Sequence, residues 1–239
     1  MKKILFLLPL VAILVSSCFL GGKRIKGNGV IKSETRSTTS FSGVDVSGNA
    51  DVYVKQDSTT TVRVETDENL LPYIIIENRN GTLHIYQKDN TQLKTTKGIK
   101  VYLASPQYSR FDASGACDYY SEGRITNAES ISFRLSGASE VNMDLKAPVV
   151  KASLSGAGTV SLKGETKDLD IDGSGSTEVK CFDLAAENVK VSISGAGDAD
   201  VFASVKLDVH VSGAGDVRYK GNAVVSQNIS GAGSVKKAD

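Results

Sequence analysis

The chain has 239 residues, with 28 Lys and Arg against 27 Asp and Glu. Such a balance carries no basic footprint for a nucleic-acid partner, and the length suits one domain. Twenty-three glycines, 4 prolines and no tryptophan point to a repeated architecture.

Lys2 and Lys3 precede an apolar run, Ile4 to Val15, broken only by Pro9. The run is too short for a hydrocarbon core, which takes about 20 residues, so 1–17 reads as a secretory signal peptide. It ends in Val15-Ser16-Ser17-Cys18, which resembles the bacterial lipobox, whose cysteine is diacylated and becomes the mature N-terminus. Cys18 is the expected lipid anchor and the membrane an expected partner, since two or three acyl chains suffice for stable attachment. Phe19-Leu20 follow, without a retaining aspartate, so an outer-membrane lipoprotein is expected. Whether it faces the periplasm or the cell surface stays open. Residues 18–34, with the basic stretch Lys23-Arg24-Ile25-Lys26 between glycines, read as a flexible tether.

From 35 to 110 the pattern is β-rich but irregular. Phe41 to Lys55 alternates, and Thr61 to Glu65, Tyr73 to Glu77, Thr82 to Gln87 and Gly98 to Leu103 read as further strands. Asn80-Gly81 is a hairpin signal, because a type I′ turn wants φ > 0 at both central residues.

From 111 to 239 the chain repeats. Ser-Gly begins at Ser114, Ser136, Ser155, Ser174, Ser194, Ser212 and Ser230, at intervals of 22, 19, 19, 20, 18 and 18, and an earlier copy stands at Ser47. Three residues before each serine come Val44, Phe111, Phe133, Ala152, Ile171, Val191, Val209 and Gln227; five after it come Val52, Tyr119, Val141, Val160, Val179, Ala199, Val217 and Val235. These columns have the strand period of two. Equal units with turn-forming glycine at fixed phase predict an all-β fold, a parallel β-helix (β-solenoid) with coils of about 18–22 residues. Residues 35–110 would form its irregular β-rich N-terminal cap. An up-and-down antiparallel arrangement is the rival, disfavoured because hairpins would reverse alternate repeats.

The order Phe41-x-x-Val44-x-Val46-Ser47-Gly48, then Val62-x-Val64-x-x-Asp67-x-Asn69-Leu70, then Asn80-Gly81-Thr82-Leu83-x-Ile85, followed by serial Ser-Gly-Ala-Gly-Asp units, resembles the head GIN domain family of autotransporter-adhesin type over residues 38–236. The resemblance implies a right-handed β-helix on an envelope lipoprotein. It transfers no catalytic residue.

One constellation of charges stands out. Four residues after the motif serine come Asp51, Asp118, Glu140, Thr159, Glu178, Asp198, Asp216 and Ser234. Stacked coils, about 4.8 Å apart, would align Asp118, Glu140, Glu178, Asp198 and Asp216 as an acidic ladder. Calcium-binding repeats carry Gly/Asp nonapeptides of the form G-x-G-x-D. Here the acid comes once per coil, and Asp216 follows Gly215 directly, which favours solvated turn residues, so no metal or cofactor is assigned. His84 and His210 alternate with inward residues and should face solvent, without a partner at ligand spacing. Cys117 reads as a turn residue and Cys181 as a buried one. Three coils would separate them by about 14 Å, too far for a disulfide.

No phosphate loop, nucleophile elbow or zinc motif is present. The reading favoured is a non-catalytic, lipid-anchored binding or adhesin-like module whose ligand is a glycan or an envelope protein. A polysaccharide-processing enzyme on a β-helix scaffold is the alternative, disfavoured because short repeat intervals leave no room for cleft-forming loops.

Overall fold

A computed structural model describes residues 22–239; residues 1–17, read as a signal peptide, and Cys18 lie outside the described residues. The N-terminal region contains β1 (Lys23–Lys26), β2 (Ile31–Arg36), β3 (Gly43–Gln56), β4 (Thr61–Asp67), a 3₁₀ turn over Glu68–Tyr73, β5 (Ile74–Arg79), β6 (Thr82–Gln87), β7 (Thr91–Lys94) and β8 (Lys100–Ser105). The repeats follow as β9 (Arg110–Thr126), β10 (Ser130–Gly137), β11 (Glu140–Gly156), β12 (Thr159–Gly175), β13 (Glu178–Gly195), β14 (Asp198–Gly213), β15 (Asp216–Lys220), β16 (Val224–Gly231) and β17 (Ser234–Lys237). They stack in parallel as a β-solenoid of about 7 turns, which excludes the up-and-down alternative. Among the described residues no helix is long and apolar enough to cross a membrane.

The Ser-Gly-Ala motif is what closes each coil. Gly115, Gly137, Gly156, Gly175, Gly195, Gly213 and Gly231 all have positive φ, from 92° to 133°, a region an L side chain rarely adopts. Space is the second reason. A Cβ on Gly156, Gly175 or Gly195 would come within 2.6 Å of the carbonyl oxygen of the glycine one coil earlier. That carbonyl instead accepts a hydrogen bond from the next coil's alanine: Ala157 N–H donates to Gly137 at 2.8 Å, and Ala196 N–H to Gly175 at 2.9 Å.

Between turns, the predicted columns face inward in register. Phe111 pairs with Phe133, Phe133 with Ala152, Ala152 with Ile171, Ile171 with Val191, and Val191 with Val209. All are buried. The core is aromatic at its N-terminal end, where Phe111 stacks on Phe133 at 5.4 Å and on Tyr108 at 5.5 Å. It is aliphatic beyond. The last coil is less covered: Gln227 is exposed, Val225, Ile229 and Val235 are half-buried, and Val224 is 76% exposed.

Two local expectations need correction. Residues 23–26 and 31–36, within or beside the stretch read as a flexible tether, are strands: β1 pairs in parallel with β7, and β2 pairs antiparallel with β4. Their partners lie more than twenty-five residues away along the chain, so local composition could not reveal them. Cys117 is buried in β9 rather than set in a turn, because the turn occupies only Gly115-Ala116 and the chain then points inward. The same inward position holds small residues in the following coils: Ser139, Gly158, Thr177, Gly197 and Gly215. Cys117 and Cys181 are both free and buried. The Asn80-Gly81 turn has φ of 53° and 79° and joins the antiparallel β5 and β6. Within 35–110, β3 is itself in parallel register with β9, so the solenoid pairing begins at Gly43.

Candidate binding surface

The acidic ladder lies along one outward face, in register and interrupted. Asp51 pairs with Asp118 and Asp118 with Glu140; Thr159 then intervenes before Glu178, which pairs with Asp198. Asp216 follows and pairs with Ser234. Four of the carboxylates, Asp118, Glu178, Asp198 and Asp216, have local partners. Asp118 accepts the N–H of Glu140 at 3.0 Å, and Asp198 accepts that of Asp216 at 3.2 Å. Glu178 pairs with Lys180 at 2.8 Å. Burial, then repulsion from Asp118, raises the pKa of Asp51, whereas the Ser234 hydroxyl lowers that of Asp216. Opposite shifts along one ladder describe turn residues bonding to the adjacent coil. Among the described residues no three such side chains converge to hold a metal ion.

Beside the ladder runs a second outward column, in which Arg63, Tyr102, Tyr53 and Tyr120 align in register. Tyr53 stacks between Tyr102 at 5.0 Å and Tyr120 at 5.4 Å, and the Arg63 guanidinium sits 3.8 Å over Tyr102. Most ring faces are covered by neighbours, which suits a structural stack. His84 does have a partner, contrary to expectation: its Nδ1 lies 3.0 Å from Asp45, one strand across. His210 is exposed, between Ser192 and Asn228.

One concavity has no counterpart among the sequence expectations. It follows the corner at which each coil bends away from the ladder face. Thr126 pairs with Lys146, Lys146 with Glu165, Glu165 with Ala185, and Ala185 with Phe202. Two cavities meet there, sharing Asn127, Ala128 and Lys146. One, of about 670 Å³, is polar and lined by Gln107, Ser109 and Thr126 among others. The other, of about 610 Å³, runs over Ala147, Pro148, Ala185 and Ala186 to Phe202. Both volumes fall within the range of small-ligand sites, about 300–1,000 Å³.

Bulges make this corner. The β12–β13 register shifts between Ser161 and Gly164, and the β13–β14 register shifts after Cys181 and again after Ala186. A bulge bends a strand and re-aims its side chains. Small residues form the floor of the recess: Ala147, Thr166, Ala186 and Ala203 are buried and in register. The bulge moves Ala186 to twelve residues after Ser174, where Ala147 and Thr166 stand eleven after Ser136 and Ser155, so fixed spacing does not reveal the column. Thr166 is buried with its hydroxyl bonded to backbone oxygens of Pro148 and Asp168, so the floor needs no ligand for satisfaction.

The family model described as "putative auto-transporter adhesin, head GIN domain" matches residues 40–223. The chain belongs to the head GIN domain family. This head GIN domain resembles a solved "putative adhesin" from Bacteroides fragilis, with TM-score 0.85 at 21% identity over 90% of this chain and 100% of that one. A second, from Parabacteroides distasonis, has TM-score 0.72 at 28% identity, covering 90% and 100%. A "putative lipid binding protein" from the same species has TM-score 0.75 at 25% identity, covering 91% and 100%. No curated protein matches.

Proposed function

We propose that this head GIN domain is an adhesin-like, non-catalytic binding module, held at the cell envelope by lipidated Cys18 as an outer-membrane lipoprotein. Its ligand is a glycan or an envelope protein. The observation that carries this reading is the corner groove, an open trough continuous over several coils and suited to an extended partner. Catalysis is less well served. The groove's Glu165 is hydrogen-bonded to Lys146, which holds its carboxyl below the usual range. A glycosidase acid needs the opposite shift. The adhesin descriptions of its structural relatives support the envelope setting, and the lipid-binding description of one supports ligand capture.

Two measurements test the proposal. Cells fed radiolabelled palmitate should label the wild-type protein and not Cys18→Ala. The purified protein should be retained on an array of glycans or on immobilised envelope proteins without altering either. Turnover of a bound glycan would favour the enzyme; retention on nothing would refute the module.

A further inference from the structure

We infer that the corner groove binds a neutral polysaccharide chain lying along the solenoid axis, with the Phe202 ring stacked on one sugar. The inference rests on the binding-module reading and assigns that module its site and ligand class.

Charge comes first. The apolar half of the groove is rimmed by Lys146 and Lys167 against Glu165 and Glu187, and Lys146 is paired to Glu165 at 2.8 Å. A rim without net charge gives no electrostatic gain to an anionic or cationic polymer.

Backbone bonding excludes an extended peptide. Peptide capture by strand addition needs a free sheet edge. Along most of this corner the main chain is paired coil to coil, β11 with β12, β12 with β13 and β13 with β14, and Asn127 N–H donates to Lys146 O at 3.0 Å. Positions outside the ladder, such as Glu187 and Ser204, are confined to bulges and do not form a free edge. A peptide along the axis would leave its own amides without main-chain partners.

Openness argues against a hydrocarbon chain. Pro148 and Ala185 are exposed, so the trough covers one side of its occupant only. An acyl chain would keep its other side in water and forgo about 25 cal/mol for each Å² left uncovered. A sugar polymer differs. Its rings present C–H faces to Pro148, Ala185 and Phe202 while its hydroxyls stay wet or reach Gln107 and Thr126 in the polar half. The line from Thr126 to Phe202 is four coil steps, about 19 Å at ~4.8 Å each, which is long enough for several consecutive sugars.

The test uses detergent-solubilised full-length protein and titration calorimetry with neutral hexasaccharides of glucan, mannan, xylan and galactan, and hexagalacturonate as the charged comparison. At least one neutral hexamer should bind, more tightly than hexagalacturonate and at least 10-fold more tightly than its own disaccharide. Phe202→Ala should weaken it 10-fold or more. Ala185→Arg, an exposed substitution that fills the trough, should abolish binding with the thermal melt unchanged. Ser153→Ala on another face should leave it intact. Failure of all four neutral hexamers, with retention on envelope proteins, overturns the sugar assignment and leaves the module standing. A bound hexamer indifferent to both groove variants overturns the groove assignment, and a preference for hexagalacturonate overturns the choice of a neutral chain; the module survives either result.

Discussion

Gly27 lies so close to the buried carboxylate of Asp67 that any Cβ at position 27 would overlap it. Asp67 accepts hydrogen bonds from Gly29 N–H at 2.8 Å, from Thr96 N–H at 2.9 Å and from the Thr96 hydroxyl at 2.8 Å. One carboxylate thus ties the segment entering β2 to the loop before β8.

Asp67→Ala strands those donors, and we expect a loss of about 1–3 kcal/mol together with faster amide exchange over residues 27–36. Burial alone would raise the pKa of Asp67, but the bonds from Thr96 and Gly29 outweigh it and bring the pKa below the usual value. The stabilisation is therefore complete above the unfolded pKa, near 4, and is lost as pH falls through the lower folded value. Urea melts of wild type and Asp67→Ala should converge as the pH is lowered from the unfolded value through the folded one. A gap that widens on acidification would contradict the assignment.

The glycine column makes a prediction by difference. Gly81 and Gly175 both have positive φ, 79° and 103°. A Cβ at Gly81 meets nothing within 4 Å, whereas one at Gly175 comes 2.5 Å from Gly156 O. Gly81→Ala should lose only the backbone strain, about 1 kcal/mol. Gly175→Ala must also push neighbouring coils apart, and its loss should exceed that of Gly81→Ala by about 1–3 kcal/mol. Equal losses in denaturant titration would mean that coil spacing adapts freely.

Thiol chemistry reports on the core. Burial pushes the Cys117 thiol up to about 11 and that of Cys181 to about 12. At pH ~8 neither should react with a thiol reagent in the native state, since the thiolate is the nucleophile. Both should react in denaturant without prior reduction. Rapid native labelling of Cys181 would place it outside the core.

The tyrosine stack is a smaller effect. Tyr53 is sandwiched between Tyr102 and Tyr120, and each aromatic pair contributes about 0.5–1.5 kcal/mol. Tyr53→Leu should cost about 1–3 kcal/mol, and Tyr120→Leu, which breaks one pair, about half as much, by chemical denaturation.

What can be read from sequence is whatever recurs at fixed phase. Val44, Phe111, Phe133 and Ile171 share a position relative to Ser-Gly, and that alone orders the coils and their register. Cys117 escapes this logic because Ser-Gly-Ala looks like a longer turn than it is. The strands at 23–26 and 31–36 depend on distant partners, and the clamp on them is an aspartate whose burial has no local signature. The groove is hidden for another reason. Strict alternation predicts two flat faces, and only the register shifts near Gly164 and Ala185 turn a flat corner into a trough.

The hydrogen bonds between coils run along the solenoid axis, one coil to the next. Tension applied between the two ends therefore loads the inter-coil ladders in series, and the weakest rung yields first. That rung is at the C-terminal end, where Val225, Ile229 and Val235 are only half covered and Gln227 interrupts the apolar column. Under load the molecule should pay out from that end in steps of one coil, the first two of 18 residues and the next two of 20 and 19, while the aromatic block around Phe111 and Phe133 holds.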